Sequence, residues 1–474
     1  MPIIKNFRYR PEIDGLRALA VLPVVLFHLD LGFPGGFTGV DVFFVISGFL
    51  ICGIILRELK EERFSIVRFY ERRVRRILPA FFAVIGVSLV LATLVLYPSD
   101  FDLMGHHLSY ISLFASNIQL SLFEGGYWAA DAKSYPLLHT WSLAVEEQFY
   151  FVVPFLLWAC HRWARSRTGL VLTLLFFASL GWSVYESEVQ AQKAFYLLPA
   201  RAWEMLLGGL TYILIQKRCP WGDRLLIGGF LGAVSLAIML ASYFLIDGRM
   251  VFPGWIALLP TMGTALFIYS NSWSCNGSGR LLSLGPVKFI GQVSYSFYLW
   301  HWPLIVLYKA YRFPYELSLG EKLGLLVVSF AAAVASWKWV EQPFRKPAKS
   351  EASALRVMVP ACAILVLLFA ISLGIRKFDG FPQRIAWIES AEVKEVKQQQ
   401  EDLGLSGSHR EFNATELFER GGYQVKSGDH EVPEVVVVGD SHAGMYGPVL
   451  ADLARTHGTP AAFFTCWGER PLFE

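Results

Sequence analysis

Long apolar runs separated by short polar connections fill the first 375 positions. Runs of spanning length fall at 14–31, 38–56, 77–97, 141–159, 169–185, 195–215, 225–246, 254–270, 288–308, 323–340 and 357–375. Each approaches the roughly 20 residues that carry a helix across a bilayer, so the pattern predicts an all-α polytopic membrane protein of about eleven transmembrane helices. The stretch 103–122 breaks the rhythm with Gly105, His106, His107, Ser109, Ser112, Ser116 and Asn117. It is too polar to span and reads as re-entrant or interfacial. Past Ile375 the pattern changes. Residues 376–432 are polar, with the run EVKEVKQQQED at 392–402, and read as a linker. The β-branched run Val435 to Val438, closed by Gly439, predicts a buried strand, and Pro460 to Thr465 a second. About forty residues are too few for a stable α/β core, so this segment reads as the truncated start of a larger domain. The expected organisation is a membrane domain at 8–345, a linking transmembrane helix at 346–380, a linker at 381–432 and the short, incomplete α/β segment at 433–474.

Composition agrees: the chain is 54% hydrophobic and only 17% charged, below the charged fraction of soluble domains. The net charge of +3 is too mild to argue for a nucleic-acid partner. The placement of the cations is more informative. Lys5, Arg8 and Arg10 precede the first run with no small-residue cleavage site, which reads as an uncleaved anchor with its N-terminus inside. Every second connection is then basic, most strongly 57–76 with Arg57, Lys60, Arg63, Arg68, Arg72, Arg73, Arg75 and Arg76. The intervening connections are poor in Lys and Arg, as the alternation of a multi-pass membrane protein requires. An odd number of crossings places the C-terminal segment outside. On that topology Cys52, Cys160, Cys219 and Cys275 lie on the reducing side and Cys466 alone lies outside, so no disulfide is expected.

The first run, DGLRALAVLPVVLFHLDL, carries two residues that are costly to bury in lipid. Arg17 and His28 are eleven positions apart, which places them on nearly one helical face and roughly 16 Å apart along the axis. Pro23, between them, frees the carbonyl of Leu19 and predicts a kink. Two snorkelling side chains are the bland alternative. Asp41, at the start of the second run, is a candidate to steady the His28 imidazole, and the glycines 35, 36 and 39 would let a tight loop approach a substrate. Asp41 as a plain helix N-terminal charge weighs about equally. The Arg72/Arg75 and Arg73/Arg76 pairs, at i,i+3 spacing, present guanidinium forks that suit phosphate oxygens, or simply positive-inside charge.

In LHTWSLAVEEQFYFVVP, at 138–154, Glu146 and Glu147 sit inside an apolar segment and need a cation or a proton; Arg17 and His28 are the candidates. Adjacent helical residues differ by 100°, so one acid faces the centre. Arg201 and Glu204 have the spacing of an internal ion pair, and Glu341 reads as a cap at the inner rim. His301 lies at i+3 from Tyr298 in YSFYLWHWP, as a core histidine or an active one. Ser441, directly after the predicted strand, occupies a nucleophile position, yet His442 is adjacent to it, which is poor geometry for a base. No metal-ligand pattern is seen.

Taken together the motifs Arg17-x10-His28, GVDVFFVISGF, the arginines 72–76, HTWSLAVEEQFY, RAWE and YSFYLWHWP resemble the acyltransferase-3 family of membrane-bound O-acyltransferases, over about 8–345. Within it the chain resembles bacterial lipopolysaccharide or peptidoglycan O-acetylases with a fused periplasmic SGNH domain, here only beginning near 433. The resemblance implies transfer of an acyl group, acetyl in the simplest case, from cytoplasmic acyl-CoA to a hydroxyl of a cell-envelope glycan such as O-antigen or of a lipid-linked saccharide. No bound cofactor is implied. It implies His28 as catalytic, Glu146 or Asp41 as its orienter, and Arg17, Arg72, Arg73, Arg75 and Arg76 for the donor, with Tyr298 and His301 near the substrates. A transporter that moves carbohydrate or lipid without chemistry would also use charges within broken spans, and an esterase would use Ser441.

Overall fold

The computed structural model describes residues 9–122, 134–216, 225–272, 276–312, 316–345 and 351–384, and the short strands 423–425, 435–439 and 461–465. The chain divides into two units, Met1–Gly380 and Phe381–Glu474.

The first unit is helical. In chain order its helices are α1 (Pro11–His28), α2 (Gly39–Lys60), α3 (Ile66–Val95), α4 (Pro98–Ser112), α5 (Ser116–Leu120), α6 (Thr140–Trp163), α7 (Thr168–Val189), α8 (Ala191–Tyr196), α9 (Leu198–Ile215), α10 (Leu225–Leu245), α11 (Leu258–Ser270), α12 (Gly277–Leu282), α13 (Gly285–Arg312), α14 (Leu319–Phe344) and α15 (Glu351–Lys377). All eleven apolar runs fall on these helices. Among the described residues seven helices are long and apolar enough to cross a bilayer on their own. Those seven leave out α1, α9 and α13, which carry Arg17, Arg201 with Glu204, and His301. The physical reason is plain: hydropathy rewards a surface that faces lipid, and these three helices are lined by buried polar groups. The stretch 103–122 forms α4 and α5, of 15 and 5 residues, both short of a bilayer's thickness. α1 continues through Pro23. Near its end α14 opens into a π turn, Trp337–Glu341, which turns Glu341 inward to accept hydrogen bonds from Ser296 and from Arg345.

Small residues set the closest helix contacts, as they do where lipid gives no hydrophobic push between helices. α2 and α9 meet at Gly48 and Gly208: a Cβ on Gly208 would lie 2.1 Å from the carbonyl oxygen of Val45, and one on Gly48 1.9 Å from that of Met205. Gly36 and Gly39 serve the same end. A Cβ at either would lie 2.2 Å from a backbone oxygen of α1, that of Pro23 or of Ala20. Of the three glycines expected to let a loop approach a substrate, Gly36 and Gly39 seat the start of α2 against α1, and Gly35 packs on α10, where a Cβ would lie 2.2 Å from the carbonyl oxygen of Ser242.

Among its described residues the second unit holds three short strands, Tyr423–Val425, Val435–Gly439 and Ala461–Thr465. The last is central, antiparallel to the first and parallel to the second. The strand at 423–425 lies in the stretch read as linker; three residues carry too little pattern to announce a strand. Ser441 and His442 lie outside the described residues, as do Cys219, Cys275 and Cys466.

Replacing Gly208 by Val should cost about 1–3 kcal/mol through overpacking. It should lower the melting temperature of the purified protein in detergent, and a melting curve identical to that of the unsubstituted protein would contradict this packing.

Candidate active site

Two cavities adjoin in the first unit. The larger holds about 1030 Å³ of atom-free space, counting what is open to the surroundings, and its lining includes Arg17, Arg73, Arg76, Ser142, Glu146 and Tyr150. The smaller is a tight niche with room for little more than a water-sized group, and is lined by residues that include His28, His139, Trp141, Phe195 and Trp302. Val40 and Tyr298 line both. Arg17 and His28, roughly 16 Å apart along α1, thus each line one of two neighbouring spaces.

The four arginines of α3 divide. Arg72 is bonded to Glu58 at 2.9 Å, and Arg75 is paired with Glu71 on its own helix. Arg73 and Arg76 line the larger cavity with Arg17, and among the described residues they form no ion pair. The two i,i+3 pairs expected on neighbouring faces thus differ in their surroundings: Arg73 and Arg76 line the cavity, and Arg72 and Arg75 are held by acids. Successive helical positions fan out by 100° each, so four arginines within five positions cannot share one face. Arg17 has Asp14 at 3.8 Å, and the Nε atoms of Arg17 and Arg73 are buried without a hydrogen-bond partner. Three guanidiniums converging on one space with unmet donors suit a ligand rich in anionic oxygens.

Of the two acids on α6, Glu146 lines this cavity and accepts from the Tyr150 hydroxyl at 3.2 Å. Glu147, one position on, is not among the lining residues. Ser47 on α2 is hydrogen-bonded to the same tyrosine.

At the other end three imidazoles gather from three places in the chain. His28 closes α1, His301 is buried within α13, and His139 immediately precedes α6. His28 Nδ1 lies 2.9 Å from His301 Nε2, and His301 Nδ1 lies 3.2 Å from the carbonyl oxygen of Phe297. A carbonyl only accepts, so His301 Nδ1 carries the proton. In the neutral ring its Nε2 is then bare and accepts, which makes His28 Nδ1 the donor and leaves His28 Nε2 as the basic nitrogen. The Trp302 ring stands edge-on to His28 at 4.5 Å, and its indole donates to the carbonyl of Tyr135 at 2.8 Å. The Tyr298 hydroxyl donates to the carbonyl of His139 at 3.0 Å and lies 2.7 Å from Ser142 Oγ. The rings of Tyr298 and His301 stand 5.5 and 5.9 Å from that of His139.

Asp41 takes its partner elsewhere. It is ion-paired with Arg201 of α9 at 3.1 Å, and Arg201 is ion-paired with Glu204 at 3.1 Å; all three side chains are at most 1% exposed. The carboxylate expected to steady His28 is thus committed to a buried cation, and a second imidazole, His301, stands at His28 Nδ1. A full charge sealed from water needs its counter-charge more than a neutral ring does.

His139, Ser142, Tyr150, Ser47 and Trp302 were not singled out from the sequence. A signal existed for most of them: His139, Ser142, Glu146 and Tyr150 are spaced 3, 4 and 4, a polar stripe down one face of an otherwise apolar helix.

The family described as an acyltransferase domain matches residues 10–338. The chain is similar to a protein of Komagataeibacter xylinus described as a membrane-bound transacylase, BcsY, at 32% identity over 76% of this chain and 91% of that protein. It is similar to the O-acetyltransferase OatA of Staphylococcus aureus at 27% identity over 82% of this chain and 66% of that protein. It is also similar to the peptidoglycan O-acetyltransferase OatA of Listeria monocytogenes, at 29% identity over 72% of this chain and 56% of that protein. The match thus spans less than two thirds of the length of each OatA relative. No solved structure matches.

Replacing Tyr298 by Phe should cost about 1 kcal/mol through its lost hydrogen bonds. Ser142→Ala should cost less when Tyr298 is already Phe, because the two hydroxyls share one contact. Denaturation of the two single variants and the double variant checks this, and strictly additive losses would contradict it.

Proposed function

The chain belongs to this acyltransferase family, and from that premise we propose that it moves an acyl group, acetyl in the simplest case, from cytoplasmic acyl-CoA to a hydroxyl of a cell-envelope carbohydrate such as O-antigen. One observation carries the reading: an arginine-lined cavity and a histidine-lined cavity adjoin across Val40 and Tyr298. The first suits the phosphates of the donor through Arg17, Arg73 and Arg76. The second suits an acceptor hydroxyl. The OatA relatives are O-acetyltransferases by name, one of them of peptidoglycan.

The chemistry follows from the tautomers. A sugar hydroxyl is far too weak an acid to ionise at neutral pH, so it needs a base at the moment of attack. His28 Nε2 takes the hydroxyl proton as the oxygen bonds to the thioester carbonyl carbon. The carbon–sulfur bond breaks, and the proton passes from the imidazolium to the departing thiolate, restoring His28. His301 holds His28 Nδ1 in the donor tautomer throughout, the duty expected of a carboxylate. Glu146, beside three guanidiniums, moderates their mutual repulsion while the donor is absent. Arg72 and Arg75, already paired with acids, brace the cytoplasmic end of α3.

The reading places the N-terminus in the cytoplasm, eleven crossings in the inner membrane, and residues beyond α15 in the periplasm, in accord with the basic connections. The domain limits are those of the sequence pattern, with Ser441 a candidate nucleophile in the SGNH-like segment. Transport without chemistry does not fit an acyltransferase.

His28→Ala should abolish acetyl transfer while the protein remains folded in membranes; ordinary product from this variant would end the proposal. Arg73→Gln and Arg76→Gln should each raise the KM for acetyl-CoA at least about tenfold, the loss of one charge-assisted hydrogen bond. Arg72→Gln should change it no more than about threefold, as an exposed-edge pairing would. Steady-state kinetics on the three variants decide it, and equal effects at all three positions would refute the division of the arginines.

A further inference from the structure

The Arg201 guanidinium does more than neutralise Asp41 and Glu204. Its central carbon lies 5.4 Å from the ring centre of Phe44, 5.9 Å from Trp141, 5.7 Å from Phe195 and 5.5 Å from Phe252. Those rings also touch one another: Trp141 and Phe195 are 4.8 Å apart, and Phe252 is 5.0 Å from Phe37. Trp141, Phe195 and Phe37 line the smaller cavity with His28. The cation therefore stands behind the aromatic wall of that cavity. Its two carboxylate partners come from α2 and α9, the pair that meets at Gly48 and Gly208.

We propose that Arg201 is a positioning residue for the acceptor: by gripping four rings at once it fixes the aromatic wall beside which the acceptor hydroxyl meets His28. This rests on the reading that the cavity beside His28 receives the acceptor. The argument is one of geometry. A planar guanidinium stacks on rings, and each desolvated cation–π contact adds to the grip. An ammonium at the same place keeps the ion pairs but loses the flat face. The Asp41–Arg201–Glu204 triad thereby acquires a use that a buried ion pair, stabilising little by itself, does not otherwise have. Aromatic faces suit the C–H faces of a sugar. A wall that drifts lets the acyl group pass to water in place of the sugar hydroxyl, the thioester then giving free acetate and the CoA thiol.

The test uses the full chain in membrane vesicles from the cells that produce it, so that the natural acceptor is present, with radiolabelled acetyl-CoA as the probe. The readout is the ratio of label bound to envelope glycan to label released as free acetate, which does not depend on how much protein folds. Arg201→Lys should lower this ratio about tenfold, the scale of a displacement well under 1 Å at a reacting centre. Phe195→Leu, which removes one gripped face and leaves the triad intact, should lower it in the same direction. An unchanged ratio in Phe195→Leu, or in Arg201→Lys recovered from membranes, overturns the proposal. If Arg201→Lys is not recovered, Phe195→Leu alone decides. His28→Ala separates the two levels of the argument. A wild-type ratio in that variant removes the acceptor reading and the role of Arg201 with it. Loss of glycan label in His28→Ala beside an unchanged Arg201→Lys removes only the role of Arg201. A wild-type protein that converts no acetyl-CoA removes both.

Discussion

A charge enclosed in a medium of low dielectric must find an opposite charge, a hydrogen-bonding partner or a ligand, because the alternative costs several kcal/mol per ion. That constraint sorts the ionisable side chains of this membrane domain. Arg201 meets it by charge, with two carboxylates and four aromatic rings around it. Arg72, Arg75 and Arg345 meet it through Glu58, Glu71 and Glu341. Arg17 has its nearest carboxylate, Asp14, at 3.8 Å, Arg73 has no ion pair among the described residues, and the Nε atoms of both are buried without a hydrogen-bond partner. The unmet donors border a cavity, where a substrate can supply what the fold withholds.

The same logic distinguishes the two ends of the site. The arginine end attracts charge and holds it through charge-assisted hydrogen bonds. The histidine end is largely apolar and aromatic, and includes a relay from the Phe297 carbonyl through His301 to His28. An imidazole in place of a carboxylate at His28 Nδ1 avoids adding a further buried anion to Asp41 and Glu204. Tyr298 lines both spaces and is tied by its hydroxyl to the start of α6, between the His28 end and the arginine end.

The apolar runs were legible in the sequence as helices because burial in lipid demands a continuous apolar stretch, whatever the tertiary contacts. The unusual position of Arg17 and His28 was legible too, since a charge and an imidazole on one face of such a stretch are conspicuous, and so was the Arg201–Glu204 pair at i,i+3. These are local facts: they depend on period and composition over one or two dozen residues.

What remained hidden is relational. Which acid meets which cation depends on helix crossings set by Gly48, Gly208, Gly36 and Gly39, over separations that no period encodes. Asp41 is thirteen positions from His28 yet is bound to Arg201, 160 positions away, and His28 is bonded to His301, 273 positions away. The chain by itself determined that these groups would be buried within a membrane domain. Only the packing decided their partners, because pairing is a property of distance in space, and helices separated by hundreds of residues can be brought within 3 Å by the close approach that a missing side chain allows.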